Sequence, residues 1–150
     1  MNHKRNQGFT LIEIAVVVFV IGIIASIIVV SFIQVQKESR DRRRTSDVVA
    51  IENALSAYFR DNNEYPPVCS GDNVGCDVSN LSSSLVPKYI PSIPVSPNGS
   101  HYNYVRGTQS TSSASYGILV SFETQAQCKG GVNVSTGWWG TAIPVCGSPL

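Results

Sequence analysis

Lys4-Arg5-Asn6-Gln7-Gly8-Phe9-Thr10-Leu11-Ile12-Glu13 leads into an apolar run that continues to Ile33, and Glu13 is the only charge inside it. At a rise of ~1.5 Å per residue, a helix from Phe9 to Ile33 is about 37 Å long, against a bilayer hydrocarbon core of about 30 Å. It is long enough to span a membrane with some tilt. It also exceeds the roughly 7 to 15 apolar residues of a removable secretory signal. The nearest small-residue pair, Ala25-Ser26, is followed by more apolar sequence, so the span is expected to stay with the product. A charge at mid-membrane costs on the order of 2.5 to 3.5 kcal/mol on insertion scales, which makes Glu13 a functional residue in need of a partner. No other charge lies within the segment, so the partner is expected from outside it.

A basic leader, Gly8, then Phe9-Thr10-Leu11-Ile12-Glu13 and a β-branched apolar helix resemble the prepilin signature of type IV pilins and of the pseudopilins of type II secretion. The resemblance implies cleavage after Gly8 by a prepilin peptidase that also methylates the new amino terminus on Phe9. Glu13 then becomes the fifth residue of the mature chain, the position of the family's acid. It also supplies the partner: the Phe9 ammonium of one subunit within about 4 Å of Glu13 on a neighbour gains roughly 4 kcal/mol at an effective dielectric of ~20, which offsets the burial of one carboxylate. A lone subunit lacks this pairing, so the resemblance favours self-assembly with other pilin subunits on an inner-membrane platform.

Flanking charge does not settle orientation. Lys4 and Arg5 precede the span, while Lys37, Arg40, Arg42, Arg43 and Arg44 follow it. Cysteine use does: Cys69, Cys76, Cys128 and Cys146 all follow the span and read as two disulfides made in an oxidising compartment. The expected arrangement is a single-pass bacterial inner-membrane protein with a cytoplasmic amino terminus and an extracytoplasmic domain. Of three possible connectivities, Cys69 with Cys76 and Cys128 with Cys146 give the shortest loops.

The formal charge is +1, and loss of Lys4 and Arg5 with the leader takes the side-chain sum to −1. No field on the scale of nucleic-acid binding exists. Within Arg40 to Arg44 the cations alternate with Glu38, Asp41 and Asp47, which reads as a solvated or intersubunit salt-bridged face.

Beyond Ile33 the helical period turns amphipathic. Val48, Ile51, Leu55, Tyr58 and Phe59 form one stripe, with Glu52, Asn53 and Arg60 turned away. One rod of about 80 Å is expected from Phe9 to near Asn62, ended by Asn62-Asn63 and Pro66-Pro67. Prolines 87, 91, 94 and 97 then forbid long regular elements, leaving a helical turn at Leu81 to Leu85. Strands are expected at Tyr102 to Val105, Tyr116 to Phe122, Val132 to Val134 and Ala142 to Val145, forming a small antiparallel sheet with one face on the stripe and one face wet. The class is α+β. The organisation reads as leader 1–8, transmembrane and polymerisation helix 9–33, amphipathic helix 34–62, and extracytoplasmic loop and sheet region 63–150.

Val86 to Pro91 and Pro97-Asn98-Gly99-Ser100 to Tyr104, with Pro-x-Gly and Tyr-x-Tyr, are similar to the loop and first strand of the major pseudopilin of type II secretion. The resemblance implies the type IV pilin fold, and the tail after Glu123 looks like a pilin's disulfide-closed loop. Two departures stand out. Val30 occupies the position where relatives carry a helix-weakening proline. Gly107 to Ser115 holds none of the carboxylates on which the pseudopilin calcium loop depends, and hard cations want such ligands. His3 and His101 have no partners at metal spacing. No metal, cofactor or enzymatic activity is expected. Trp138-Trp139 reads as core under a disulfide loop. The leading function is a structural subunit of a type IV pilus-like filament. The alternatives are a type II secretion pseudopilin or a minor pilin acting as a tip adhesin or DNA-uptake receptor.

Overall fold

The computed structural model describes residues 9–107 and 115–146, so the leader 1–8, Gly8 included, lies outside the described residues. Helix α1 covers Leu11–Asn62 and passes through the Val30 position without a break in its helical assignment. The chain forms two units that divide between Lys37 and Glu38. In the first, every residue from Phe9 to Gln36 whose side chain is described is exposed. An apolar surface of this kind is stable only against lipid or other apolar helices.

In the second unit, Val48, Ile51 and Leu55 of the stripe read from the period of the sequence are buried together with Ala54, and Tyr58 and Phe59 of that stripe are half-buried. Asn63, in left-handed conformation at φ 56°, ends the helix, and its N–H donates to the Phe59 carbonyl at 2.8 Å. Glu52 departs from expectation. It is half-buried, and burial pushes its carboxyl above the usual range.

After α1 come strand β1 (Cys76–Asp77), a 3-10 turn (Val78–Leu81), the one-turn helix α2 (Ser82–Leu85) and strands β2 (Asn103–Arg106), β3 (Tyr116–Val120) and β4 (Cys128–Val132). Asp77 caps the 3-10 turn by accepting from the Ser79 N–H at 2.7 Å. Leu81 and Leu85 are thereby delivered to the core, both fully buried. The strands form one antiparallel sheet in the order β1-β2-β3-β4, with Cys76 opposite Tyr104, Tyr104 opposite Ile118 and Val120 opposite Cys128. Period-two alternation turns Tyr104, Tyr116, Ile118 and Val120 into the core with Val48, Ile51 and Leu55.

Three expectations about the sheet are corrected. The strand expected to begin at Val132 instead ends there, as β4, because the chain turns at Asn133 with φ 50°. Ala142 to Val145 contributes only an isolated parallel bridge, Val145 to Lys129. The second sheet face is not wet. On it Val105 stands opposite Gly117, and a Cβ at Gly117 would lie 2.9 Å from the Trp138 ring. Glycine is required there because the indole packs directly on the backbone, and Trp138 is only 7% exposed. Trp139 is half-buried.

Candidate functional site

The amino-terminal segment begins with Thr10 as cap of α1. The Glu13 N–H donates to Thr10 Oγ1 at 3.3 Å, and the Thr10 N–H donates to Glu13 Oε2 at 3.4 Å. This is a reciprocal capping box, which satisfies two donors that a helix start leaves open. It corrects the view that nothing within the segment can pair with Glu13. The signal was present in Thr10-Leu11-Ile12-Glu13, a Thr-x-x-Glu before an apolar run. Deeper in the segment, Ser26 Oγ donates to the Ile23 carbonyl at 2.7 Å and Ser31 Oγ to the Ile27 carbonyl at 3.3 Å. These polar side chains are satisfied by their own helix, as lipid requires. Phe9 is 80% exposed, next to the position of the expected cut.

The basic cluster after the span divides in a way the sequence does not show. Arg42 and Arg43 are exposed, as a solvated face requires. Arg44 and Asp41 are instead buried, at 2% and 5% exposure. Arg44 Nη1 donates to Asp41 Oδ1 at 2.6 Å, and Nη2 lies 2.9 Å from Glu123 Oε1 and reaches the Pro97 carbonyl at 3.2 Å. Arg40 holds Glu123 in a two-pronged pair at 2.8 and 2.6 Å. Asp41 also accepts from the backbone N–H groups of Glu123 and Thr124, both at 2.9 Å, and from the Thr124 hydroxyl at 2.6 Å. A single turn of α1 thus binds the loop after β3 and the loop around Pro97 within one chain. Burial pushes the Asp41 carboxyl up, but its hydrogen bonds from Thr124, the Glu123 backbone and Arg44 prevail and leave it below the usual range. The hydrogen bond from Arg40, aided by Arg44, lowers Glu123 to about 2.

The disulfides are Cys69–Cys76, with Cα atoms 5.6 Å apart, and Cys128–Cys146, at 4.9 Å. The first anchors the two-residue strand β1, and the second closes the segment that carries Trp138. Among the described residues no group of three or more His, Cys, Asp or Glu side chains is placed to hold a metal ion. The calcium-loop departure read from Gly107 to Ser115 falls mainly on 108–114, which lie outside the described residues. In the C-terminal loop the carbonyls of Thr136, Trp138 and Gly140 converge on the Lys129 ammonium.

An exposed, bilayer-length apolar helix capped by Thr10 and Glu13, joined in sequence to an α+β domain closed by a C-terminal disulfide, defines a pilin-like subunit with a membrane-anchoring segment. The family profile described as "Prokaryotic N-terminal methylation motif" matches residues 3–29. The chain is 30% identical over 145 residues to the type II secretion system core protein G of Aeromonas hydrophila, covering 93% of this chain and 96% of that protein. It is 34% identical to the protein of the same name from Escherichia coli K12, covering 65% of this chain and 70% of that one. For the Klebsiella pneumoniae protein the identity is 38%, with 66% and 74% covered. The chain belongs to the type IV pilin and pseudopilin family, in the group of type II secretion core protein G. No solved structure matches it significantly.

Proposed function

We propose that the chain is the pseudopilin of a type II secretion system, a structural rather than catalytic subunit. In this reading it is made as a single-pass inner-membrane precursor with a cytoplasmic amino terminus, cut after Gly8 and methylated on Phe9. It then assembles through its apolar helix into a filament that drives protein export. The observation that carries the proposal is the exposure of the large apolar side chains described between Phe9 and Val35, in a run that the matched methylation motif at residues 3–29 largely covers. Such a surface needs a partner, and a staggered neighbour supplies one that also brings the Phe9 amine to Glu13. The relatives' names favour secretion over the pilus-like filament read first from the sequence, and both readings share this assembly chemistry.

Cleavage after Gly8 leaves Phe9 first, so the native protein is expected to begin at methylated Phe9. Mass spectrometry of the membrane-extracted protein checks this, and an intact leader in a strain that has the peptidase would overturn it. In a strain lacking the gene, exported enzymes are expected to accumulate in the periplasm and to be released on complementation. Normal export with loss of surface pili would assign the chain to a pilus instead.

The capping box adds a control for Glu13. Glu13→Gln retains a side chain able to cap the helix but removes the charge, whereas Glu13→Ala removes both. If assembly rests on the ion pair, both variants lose filaments while the precursor accumulates normally in the membrane. Filaments from Glu13→Gln, scored by electron microscopy of sheared material, would show that capping alone is the function of this residue.

A further inference from the structure

Lys129 is 1% exposed and, among the described residues, has no carboxylate partner; the described groups about its ammonium are main-chain oxygens. Nζ donates to the carbonyls of Thr136 at 2.7 Å, Trp138 at 2.9 Å and Gly140 at 3.2 Å. Three acceptors match the three N–H bonds of an ammonium. They come from alternate residues of a single turn, and the backbone reverses through Trp139 at φ 54° and Gly140 at φ 96° to aim them inward. Lys129 also holds the end of the same segment by its own backbone. Its N–H donates to the Pro144 carbonyl and its carbonyl accepts from the Cys146 N–H, both at 3.0 Å.

The register puts Lys129 opposite Leu119, on the sheet face that carries Gly117. The turn it gathers is the one that lays Trp138 on that glycine, with the indole N–H donating to Asn73 Oδ1 at 2.9 Å. Burying an ammonium is costly unless its hydrogen bonds are made, so a lysine in this position is conspicuous unless the turn is built around it.

We propose that the Lys129 ammonium is the cation around which the C-terminal loop is built, so that the chain supplies from its own sequence what a bound metal ion would supply to a loop of converging carbonyls. The Cys128–Cys146 disulfide fixes the ends of the loop and Lys129 fixes its middle. The loop is therefore independent of calcium. With the lysine side chain removed, the carbonyls of residues 136, 138 and 140 form a site for a small primary ammonium ion. This inference does not depend on whether the filament serves secretion or a pilus.

Trp138 and Trp139 are the two tryptophans of the chain, so their fluorescence reads the loop directly in the full chain held in detergent. The wild type is expected to keep its emission maximum and its resistance to protease between residues 133 and 143 in either EDTA or excess calcium. Lys129→Met keeps the apolar stem and removes the three donors. Its emission should shift to the red and cleavage in the loop should rise roughly tenfold or more, while far-ultraviolet circular dichroism keeps the signal of α1. Lys129→Ala should regain a blue-shifted emission in ethylammonium but not in tetramethylammonium, which has no N–H to donate. Wild-type emission that shifts on chelation would overturn the proposal, as would a Lys129→Met protein with native emission and protease resistance. If Lys129→Met fails to fold, the wild-type chelation result and selective rescue of Lys129→Ala decide it, and equal response to both ammonium ions counts against it.

Discussion

Arg44 decides how much of the second unit's stability resides in charge. Its guanidinium is buried among Asp41, Glu123, Ser96, Ser100 and the Pro97 carbonyl. Removing Arg44 takes one partner from Asp41 and from Glu123, which keep their hydrogen bonds from Thr124 and Arg40, so the cost falls below the roughly 3 to 5 kcal/mol of a fully stranded buried charge and above the about 0 to 1 of an exposed pair. Arg44→Ala is therefore expected to lower unfolding free energy by about 1 to 3 kcal/mol, while Arg43→Ala leaves it within about 0.5 kcal/mol. Equilibrium denaturation of the full chain in detergent, followed at the tyrosines of the second unit, checks both. Glu123 gives a pH-dependent counterpart. Its carboxyl is held down from 4.5 to about 2 in the folded chain, chiefly by the hydrogen bond from Arg40. A depressed folded value means that its contribution is complete above about pH 4.5 and is lost as pH falls through about 2. Asp41, also held low, acts in the same direction. Stability measured by chemical denaturation should thus fall between pH 4.5 and 2, and Glu123→Gln should flatten that slope. An unchanged slope would mean that the Arg40 pair does not persist in solution.

Among the secondary elements, those with a periodic signal were legible and those built from long-range contacts were not. The stripe Val48, Ile51 and Leu55, the Asn62-Asn63 stop and the start of the strand at Tyr116 follow from spacing, capping and alternation. Strand β4 contains Lys129-Gly130-Gly131, residues with little intrinsic strand preference, and it exists because it is in register with β3. Gly131, at φ 135°, passes so close to the Tyr116 carbonyl that no side chain fits. Strand β1 is two residues long, too short for any pattern, and is tied by its disulfide. Of the site, Glu13 was legible as a lone acid, and its cap by Thr10 was missed although Thr-x-x-Glu carries that signal. The burial of Arg44 and Lys129 was not legible, because apart from Asp41 the groups that enclose Arg44 come from loops more than fifty residues away, and those about Lys129 are backbone carbonyls that carry no sequence signature. The two disulfides offer a test of loop closure. Their sequence separations are 7 and 18, and chain-entropy scaling assigns about 2.5 kcal/mol to the first and about 3.2 to the second. Replacing Cys128 and Cys146 with serine should therefore cost more than replacing Cys69 and Cys76 by serine, measured by thermal denaturation at fixed pH. The reverse order would show that the anchoring of β1, rather than the closure of the unfolded chain, governs the effect.

The molecule as a whole divides its chemistry cleanly along the sequence. Among the described residues, the main hydrophobic cluster runs from Val48 to Val120 with Trp138 buried on the other face of the sheet, and the buried charge network draws on Asp41, Arg44 and the loops of the same unit. In the first unit the described side chains from Phe9 to Gln36 are exposed. The two halves thus answer to different solvents. The apolar helix is stabilised by lipid or by other helices, and the second unit by its own burial of apolar surface and two disulfides. A fragment beginning at Glu38 is therefore expected to be soluble, monomeric and cooperatively folded without detergent, with both disulfides formed, when it is made in an oxidising compartment. The full chain under the same conditions is expected to partition into membranes and to aggregate when detergent is withdrawn. Analytical ultracentrifugation and circular dichroism of the fragment, with thermal melting in the presence and absence of reductant, check these outcomes. An unfolded or self-associating fragment would show that residues before Glu38 complete the fold of the second unit, and assembly through the apolar helix could not then be separated from the stability of the domain that follows it.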